Sequence, residues 1–240
     1  MGEDETKGES QIGADGKLRV TEKPPEATGM NVEGKEPTFP NDGFGQLWRK
    51  TYRVRLTGAV TPEEVVAVWK ERLPDFMPDH SRFYPSFRGI EAGQVVLIDA
   101  TMPGGAPVST GVLVLHADAT RFTVVTPQGH PESGYNSFSA HREGSETLAQ
   151  IQSMARAADP VYEFGYRFLG GMKHQEGIWR HMLTELARHF GARPKVEMRR
   201  EKLDSHVQWS KAPNVWHNAL IRTTLTAPMR AAGKLIGRRQ

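Results

Sequence analysis

The sequence predicts an α+β fold in which an antiparallel meander of strands is followed by one long C-terminal α-helix. Three observations predict it. Residues 94–155 carry five β-rich runs joined by connections mostly too short for parallel crossovers. Residues 160–190 carry the longest 3.6-residue apolar period of the chain. The length of 240 residues with 38% hydrophobic content gives room for one substantial core.

Up to about Pro40 the chain is rich in Gly, Glu, Lys, Thr and Pro, with Ile12, Leu18, Val20, Met30, Val32 and Phe39 as isolated large apolar residues. So sparse a set does not offset the entropy of ordering, and residues 1–42 are expected to be a disordered acidic arm. The alternative is a docking arm for a basic partner, the chain's own C-terminus included.

Residues 46–57 alternate as a half-buried strand, with Trp48, Tyr52, Val54 and Leu56 on one face, Leu47, Arg49, Thr51, Arg53 and Arg55 on the other, and Lys50 as the lone misfit. Thr61-Pro62-Glu63-Glu64 reads as a capping box with Pro at the first helical position. The helix it opens buries Val65, Val66, Trp69 and Leu73 and stops at Pro74. Residues 75–92, dense in Pro and aromatics, read as a compact loop or short helical turns. Strands are predicted over 94–102, 108–117, 120–127, 134–142 and 145–155. In the last helix Val161, Phe164, Phe168, Met172, Gln175, Trp179, Met182, Leu183, Leu186 and Phe190 form one stripe, ended by Gly191 and Pro194. Gly165, Gly170 and Gly171 weaken that helix and call for a packing explanation.

Charge divides the chain in the same places. Residues 1–40 hold 5 basic and 9 acidic side chains, residues 41–193 hold 16 of each, and residues 194–240 hold 10 basic and 3 acidic. A domain over 43–193 is therefore expected between the acidic arm and a basic extension, 194–240. The extension is expected to be solvated or loosely packed; its Trp209 and Trp216 among Lys and Arg make an anionic membrane surface the alternative partner, with nucleic acid disfavoured. The absence of Cys excludes disulfides, thiol catalysis and Cys-bearing zinc motifs. With an N-terminus that reads MGEDETKGES and no long apolar run, a soluble, cytoplasmic protein is expected.

The order of elements resembles the helix-grip fold of the START and birch-pollen-allergen (SRPBCC) superfamily, in which a curved sheet wraps the last helix and encloses a hydrophobic cavity. Within it, Phe122-x-x-x-Thr126-x-x-Gly129-His130-Pro131-Glu132-x-Gly134-x-x-x-Phe138 is similar to the signature of the family called domain of unknown function nineteen-ninety. Ile151-x-Ser153-x-Ala155-Arg156-Ala157 is similar to that family's Ile-x-Ser-x-Ser-Arg-Pro segment, with Ala155 and Ala157 in place of Ser and Pro. Tyr135 and Asn136 stand where that family has paired Glu. The resemblance covers roughly residues 44–190 and implies ligand carriage, a receptor role or cyclase chemistry without choosing among them.

The function expected is non-enzymatic binding of a small hydrophobic or amphipathic ligand between sheet and helix, by Phe164, Phe168, Met172, Gln175, Trp179, Met182, Tyr135 and Trp69. Gln175, the one polar member of the stripe, needs a ligand, a water or an internal partner such as Gln150 or His116. The alternatives are a cyclase or dehydratase with His130 and Glu132 as acid/base pair and Tyr135 as oxyanion donor, and a membrane-peripheral or interaction protein acting through the basic, Trp-bearing tail. No cofactor or metal is expected: His174, Glu176 and His181 lack zincin spacing, Gly13–Lys17 is too short for a phosphate loop, and no Gly-x-Ser-x-Gly occurs.

Overall fold

The computed structural model describes residues 10–21 and 23–226. Its elements in chain order are β1 (Pro37–Thr38), β2 (Leu47–Leu56), α1 (Pro62–Glu71), β3 (Ser81–Tyr84), β4 (Val95–Thr101), β5 (Pro107–Ala117), β6 (Arg121–Pro127), β7 (Glu132–Glu143), β8 (Glu146–Ala157), α2 (Pro160–Phe168), α3 (Gly171–His189) and β9 (Glu197–Asp204). Short 3₁₀ turns and a helical stretch over 219–226 complete it.

All strand pairings are antiparallel, in the order β3-β4-β5-β6-β7-β8-β2-β9, with β1 added at the end of β6. The sheet stays open, with β3 and β9 at its edges. One face of β2 and of β4 through β8 packs into a single core with α1 and α3, so the sheet grips the last long helix as expected. The capping box of α1 forms as read: Glu64 N–H donates to Thr61 Oγ1 at 3.2 Å, and Thr61 N–H donates to Glu64 Oε2 at 2.7 Å.

Four expectations are corrected. First, residues 10–21 and 23–42 are not disordered. Leu18, Ala27 and Val32 are buried against Val95, Leu97, Leu113 and Val125 on the outer face of β4 to β6. Gln11 accepts Val95 N–H at 2.6 Å, and Asp99 Oδ2 accepts Thr28 N–H at 2.7 Å. These few apolar residues make no core of their own, but they cover a sheet face that is already apolar.

Second, residues 75–92 contribute a strand, β3, which pairs with β4. Third, the helix expected over 160–190 is two helices. Gly170 takes φ 77°, in the left-handed region, which ends α2 and turns α3 onto a new axis. Gly171 then lies so close to α2 that a Cβ there would approach Tyr166 Cδ1 to 2.8 Å, which supplies the packing reason.

Fourth, the basic extension is not loose over 194–226. β9 extends the sheet from β2, with Lys50 opposite Arg200 and Tyr52 opposite Met198. Arg156, buried, holds the strand's end: it donates to Asp204 Oδ2 at 2.5 Å, to Gly45 O at 2.7 Å and to His206 O at 3.0 Å. Asp159, the N-cap of α2, accepts from Asn218 Nδ2 at 2.8 Å and so fixes the segment that follows. Residues 227–240 lie outside the described residues, as do residues 1–9 of the expected arm.

Candidate functional site

A cavity of about 100 Å³ lies between α3 and the inner face of the sheet. A single water needs only about 10–15 Å³ on such a measure, so the space exceeds a packing defect. Its sheet wall is largely apolar, built from alternate residues of the central strands: Val96 and Ile98, Val112, Phe122 and Val124, and Phe138. The Phe122 and Phe138 rings stack at 4.5 Å, and Trp179 meets Phe138 edge-on at 5.7 Å.

One end of the cavity is polar. Gln175, on α3, bridges two charged side chains: its Oε1 accepts from Lys50 Nζ at 2.5 Å, and its Nε2 donates to Glu132 Oε2. Lysine only donates and a carboxylate only accepts, so this pairing sets the amide's orientation. The partners are therefore neither Gln150, which accepts from Arg53, nor His116, which pairs with Asp118. Lys50 is 4% exposed and is the misfit in the alternation of β2; it lies on the inner face because its Nζ finds a partner there. Burial pushes the Glu132 carboxyl up, against the opposing pull of Lys50 and of the Gln175 hydrogen bond. Beyond this bridge a second cavity of about 80 Å³, lined by Lys50, Ser153, Glu163 and Met172, shares Glu132 and Tyr166 with the first.

His130 also lines the main cavity. It sits in a turn whose glycines are obligatory. A Cβ on Gly129, at φ 91°, would come within 2.1 Å of His217 O, and one on Gly134 within 2.2 Å of Met154 O. His130 Nδ1 lies 3.0 Å from Glu132 N and 3.1 Å from Glu132 O, so the ring is held by the backbone of Glu132. Burial lowers the imidazole to about 4.

Four further cavity-lining side chains hold a buried polar atom with no hydrogen-bond partner among the described residues: Thr110 Oγ1, Asn136 Oδ1, His174 Nε2 and Trp179 Nε1. His174 stacks obliquely on His80 at 4.7 Å, and burial followed by the neighbouring His80 lowers its pKa.

Of the residues expected to bind ligand, Gln175 and Trp179 line the cavity. Met182 and Trp69 lie in the core beyond it, where Trp69 Nε1 donates to Met182 Sδ at 3.1 Å. Phe164 and Phe168 are 55% and 68% exposed, because the break at Gly170 rotates α2 away from the stripe of α3. Met172 faces the smaller cavity. Tyr135 lies on the opposite face of β7 from Asn136 and donates to Met154 Sδ at 3.3 Å. The acid/base constellation read from the sequence is not assembled: His130 meets the backbone of Glu132, the Glu132 carboxylate meets Gln175, and Tyr135 is outside.

Sequence reasoning missed Lys50, Thr110, Asn136, Tyr166 and His174 as lining or bridging residues. Lys50 did announce itself as a break in period. The others follow from strand register and helix phase, which the sequence does not set.

Among the described residues no three His, Asp or Glu side chains are grouped to hold a metal, and no helix is long and apolar enough to cross a membrane. No family model matches the chain. No curated protein matches it either. Similar solved structures include that of the KanY protein, at TM-score 0.46 and 16% identity over 59% of this chain and 96% of that one. Another is the di-domain ARO/CYC StfQ from the steffimycin biosynthetic pathway, at TM-score 0.46 and 15% identity over 60% of this chain; the match spans 50% of that chain. A third is Ara h 8.0201, at TM-score 0.38 and 10% identity over 58% of this chain and 99% of that one. Likeness this distant carries no functional argument, so the reading of the site rests on its own geometry.

Proposed function

We propose that the protein binds one small amphipathic molecule, without chemical turnover, in the cavity between α3 and the sheet. The observation that carries the reading is the set of four unpartnered polar atoms, on Thr110, Asn136, His174 and Trp179, in a largely apolar wall. Each buried polar atom left unpaired costs about 1–3 kcal/mol. A ligand with hydroxyl or carbonyl groups on an apolar frame satisfies them, while burial of its frame contributes about 25 cal/mol per Å². Glu132 is the one Asp or Glu bordering the cavity among the described residues, which favours an uncharged head over a carboxylate. Kinship of residues 122–157 with the domain of unknown function nineteen-ninety family belongs to the same proposal and is supported by the likeness of the motif alone.

The test is titration with phenol and with benzoate, single-ring molecules of the order of size of this cavity, read by NMR of the cavity methyl groups. Saturable binding of one phenol per chain is expected, at lower concentration than benzoate. Thr110→Val removes an unpaired hydroxyl at constant shape, so it should leave stability unchanged or raised by about 1 kcal/mol while weakening the phenol. A chain that neither binds phenol nor gains mass in native mass spectrometry would overturn the proposal.

A further inference from the structure

Outside the cavity, α2 presents an apolar surface that the binding site does not use. Phe164 and Phe168 stand one turn apart with ring centroids at 5.1 Å, followed by Leu169 at 62% exposure, and Val161 is exposed beside them. A groove of about 340 Å³ runs along this face, bounded by Pro103, Tyr162 and Leu220. Leu220 N–H donates to Tyr162 Oη at 2.9 Å and ties the 219–226 helical stretch to α2. That stretch adds exposed Ile221 and Leu225, again one turn apart. So many large apolar side chains left in water mark a docking surface, since a chain that never covered them would gain nothing from keeping them.

Charge selects the occupant. From Ser205 to Gln240 the sequence has no Asp or Glu, while it carries Lys211, which meets Asp42 at 3.4 Å, together with Arg222, Arg230, Lys234, Arg238 and Arg239. Beside the apolar face, Lys173 and Arg222 are exposed, and neither pairs with a carboxylate among the described residues. The nearby carboxylates are occupied: Glu163 by Arg167 at 2.5 Å, and Asp159 by Asn218 and two backbone N–H groups. Trp209 and Trp216, both exposed, precede this surface in the same acid-free segment. Amphipathic rings of this kind favour the headgroup level of a bilayer.

We propose that α2 and the acid-free stretch 205–226 dock on an anionic lipid bilayer, with Phe164, Phe168 and Leu169 entering the acyl boundary and the cations meeting the headgroups. A second copy of the chain is the weaker fit, because it would set cations against cations across the apolar contact. Met102 and Gly171 border both the groove and the ligand cavity, so the docked face adjoins the site where a membrane-soluble molecule would be held.

The test is co-sedimentation of the full chain with phosphatidylcholine vesicles, and with phosphatidylcholine vesicles containing phosphatidylglycerol, at low and raised salt. Binding to the anionic vesicles is expected, about tenfold weaker to the neutral ones and weakened by salt. The double substitution Phe164→Ser and Phe168→Ser should weaken it about tenfold with circular dichroism unchanged, because both side chains are exposed. If that variant fails to fold, Leu169→Ser serves the same purpose. Absent or equal binding to the two vesicle types, or full binding by the folded variant, would overturn the proposal. So would a concentration-dependent dimer, abolished by the same substitutions, in a chain that ignores vesicles.

Discussion

Lys50, Gln175 and Glu132 show how a polar residue on a buried face reports its partner. In β2 the alternation of apolar side chains is broken at Lys50 alone, and in α3 the apolar stripe is broken at Gln175 alone. The two interruptions meet in space at 2.5 Å. An isolated buried amine or amide is costly enough that each interruption, taken singly, already required a partner; which partner depends on how β2 and α3 cross. His130 carries a pH consequence. Its native pKa of about 4 lies below the ordinary value of 6.5, so between those limits the unfolded chain binds a proton that the native chain refuses. Stability from this group is complete above pH 6.5 and falls on acidification, by at most about 1.4 kcal/mol per pH unit. Urea unfolding at pH 7, 6 and 5 should therefore show wild type losing stability faster than His130→Gln. Glu132 and Asp159, whose carboxyls burial raises, work in the opposite direction and are common to both proteins, so the difference isolates the imidazole.

At the scale of elements, the break between α2 and α3 decides which half of the apolar stripe meets the cavity. The stripe was legible in the sequence as one helix, and the three glycines as an anomaly within it. What the sequence did not reveal was that Gly170 takes the left-handed conformation, since a glycine inside a helix and a glycine between helices look alike. The two cases predict opposite signs. In a continuous helix Gly170→Ala would stabilise by up to about 1 kcal/mol. At φ 77° with open space around a new Cβ, it should instead destabilise by about 1–2 kcal/mol without a steric clash. Chemical denaturation of the variant reads the sign directly, and phenol affinity should stay unchanged. The strands are the converse case. Their existence and order were readable from turn chemistry, whereas β3 and β9 were not, because short or highly charged edge strands lack the alternation that marks a half-buried one.

Across the whole molecule, the sheet is covered on both faces: α1 and α3 on the inner, and residues 10–21 and 23–36 on the outer side of β4 to β6. β4 carried the sign of this double cover, since Val95-Val96-Leu97-Ile98 is apolar without alternation. The N-terminal segment thus belongs to the folded unit, and its removal would uncover Val95, Leu97, Leu113 and Val125 on that face. Leu18→Ala should accordingly lower the free energy of global unfolding by about 2–5 kcal/mol, as expected for a fully buried side chain, where a disordered arm would give no change. Urea unfolding followed by tryptophan fluorescence, which reports the core around Trp69 and Trp179, checks that the loss is felt by the whole domain.

The sequence by itself determined the class of fold, the order of most strands, the capping of α1 and the fact that Lys50 and Gln175 required partners, because period, turn chemistry and the cost of an unpaired polar group are local properties of the chain. Only the tertiary structure decided that these two side chains meet Glu132, that Phe164 and Phe168 face outward while Thr110, Asn136 and His174 border the cavity, and that the N-terminal segment has a surface to cover. Those outcomes depend on how strands and helices far apart in the chain are brought together, and a single left-handed glycine is enough to redirect one of them.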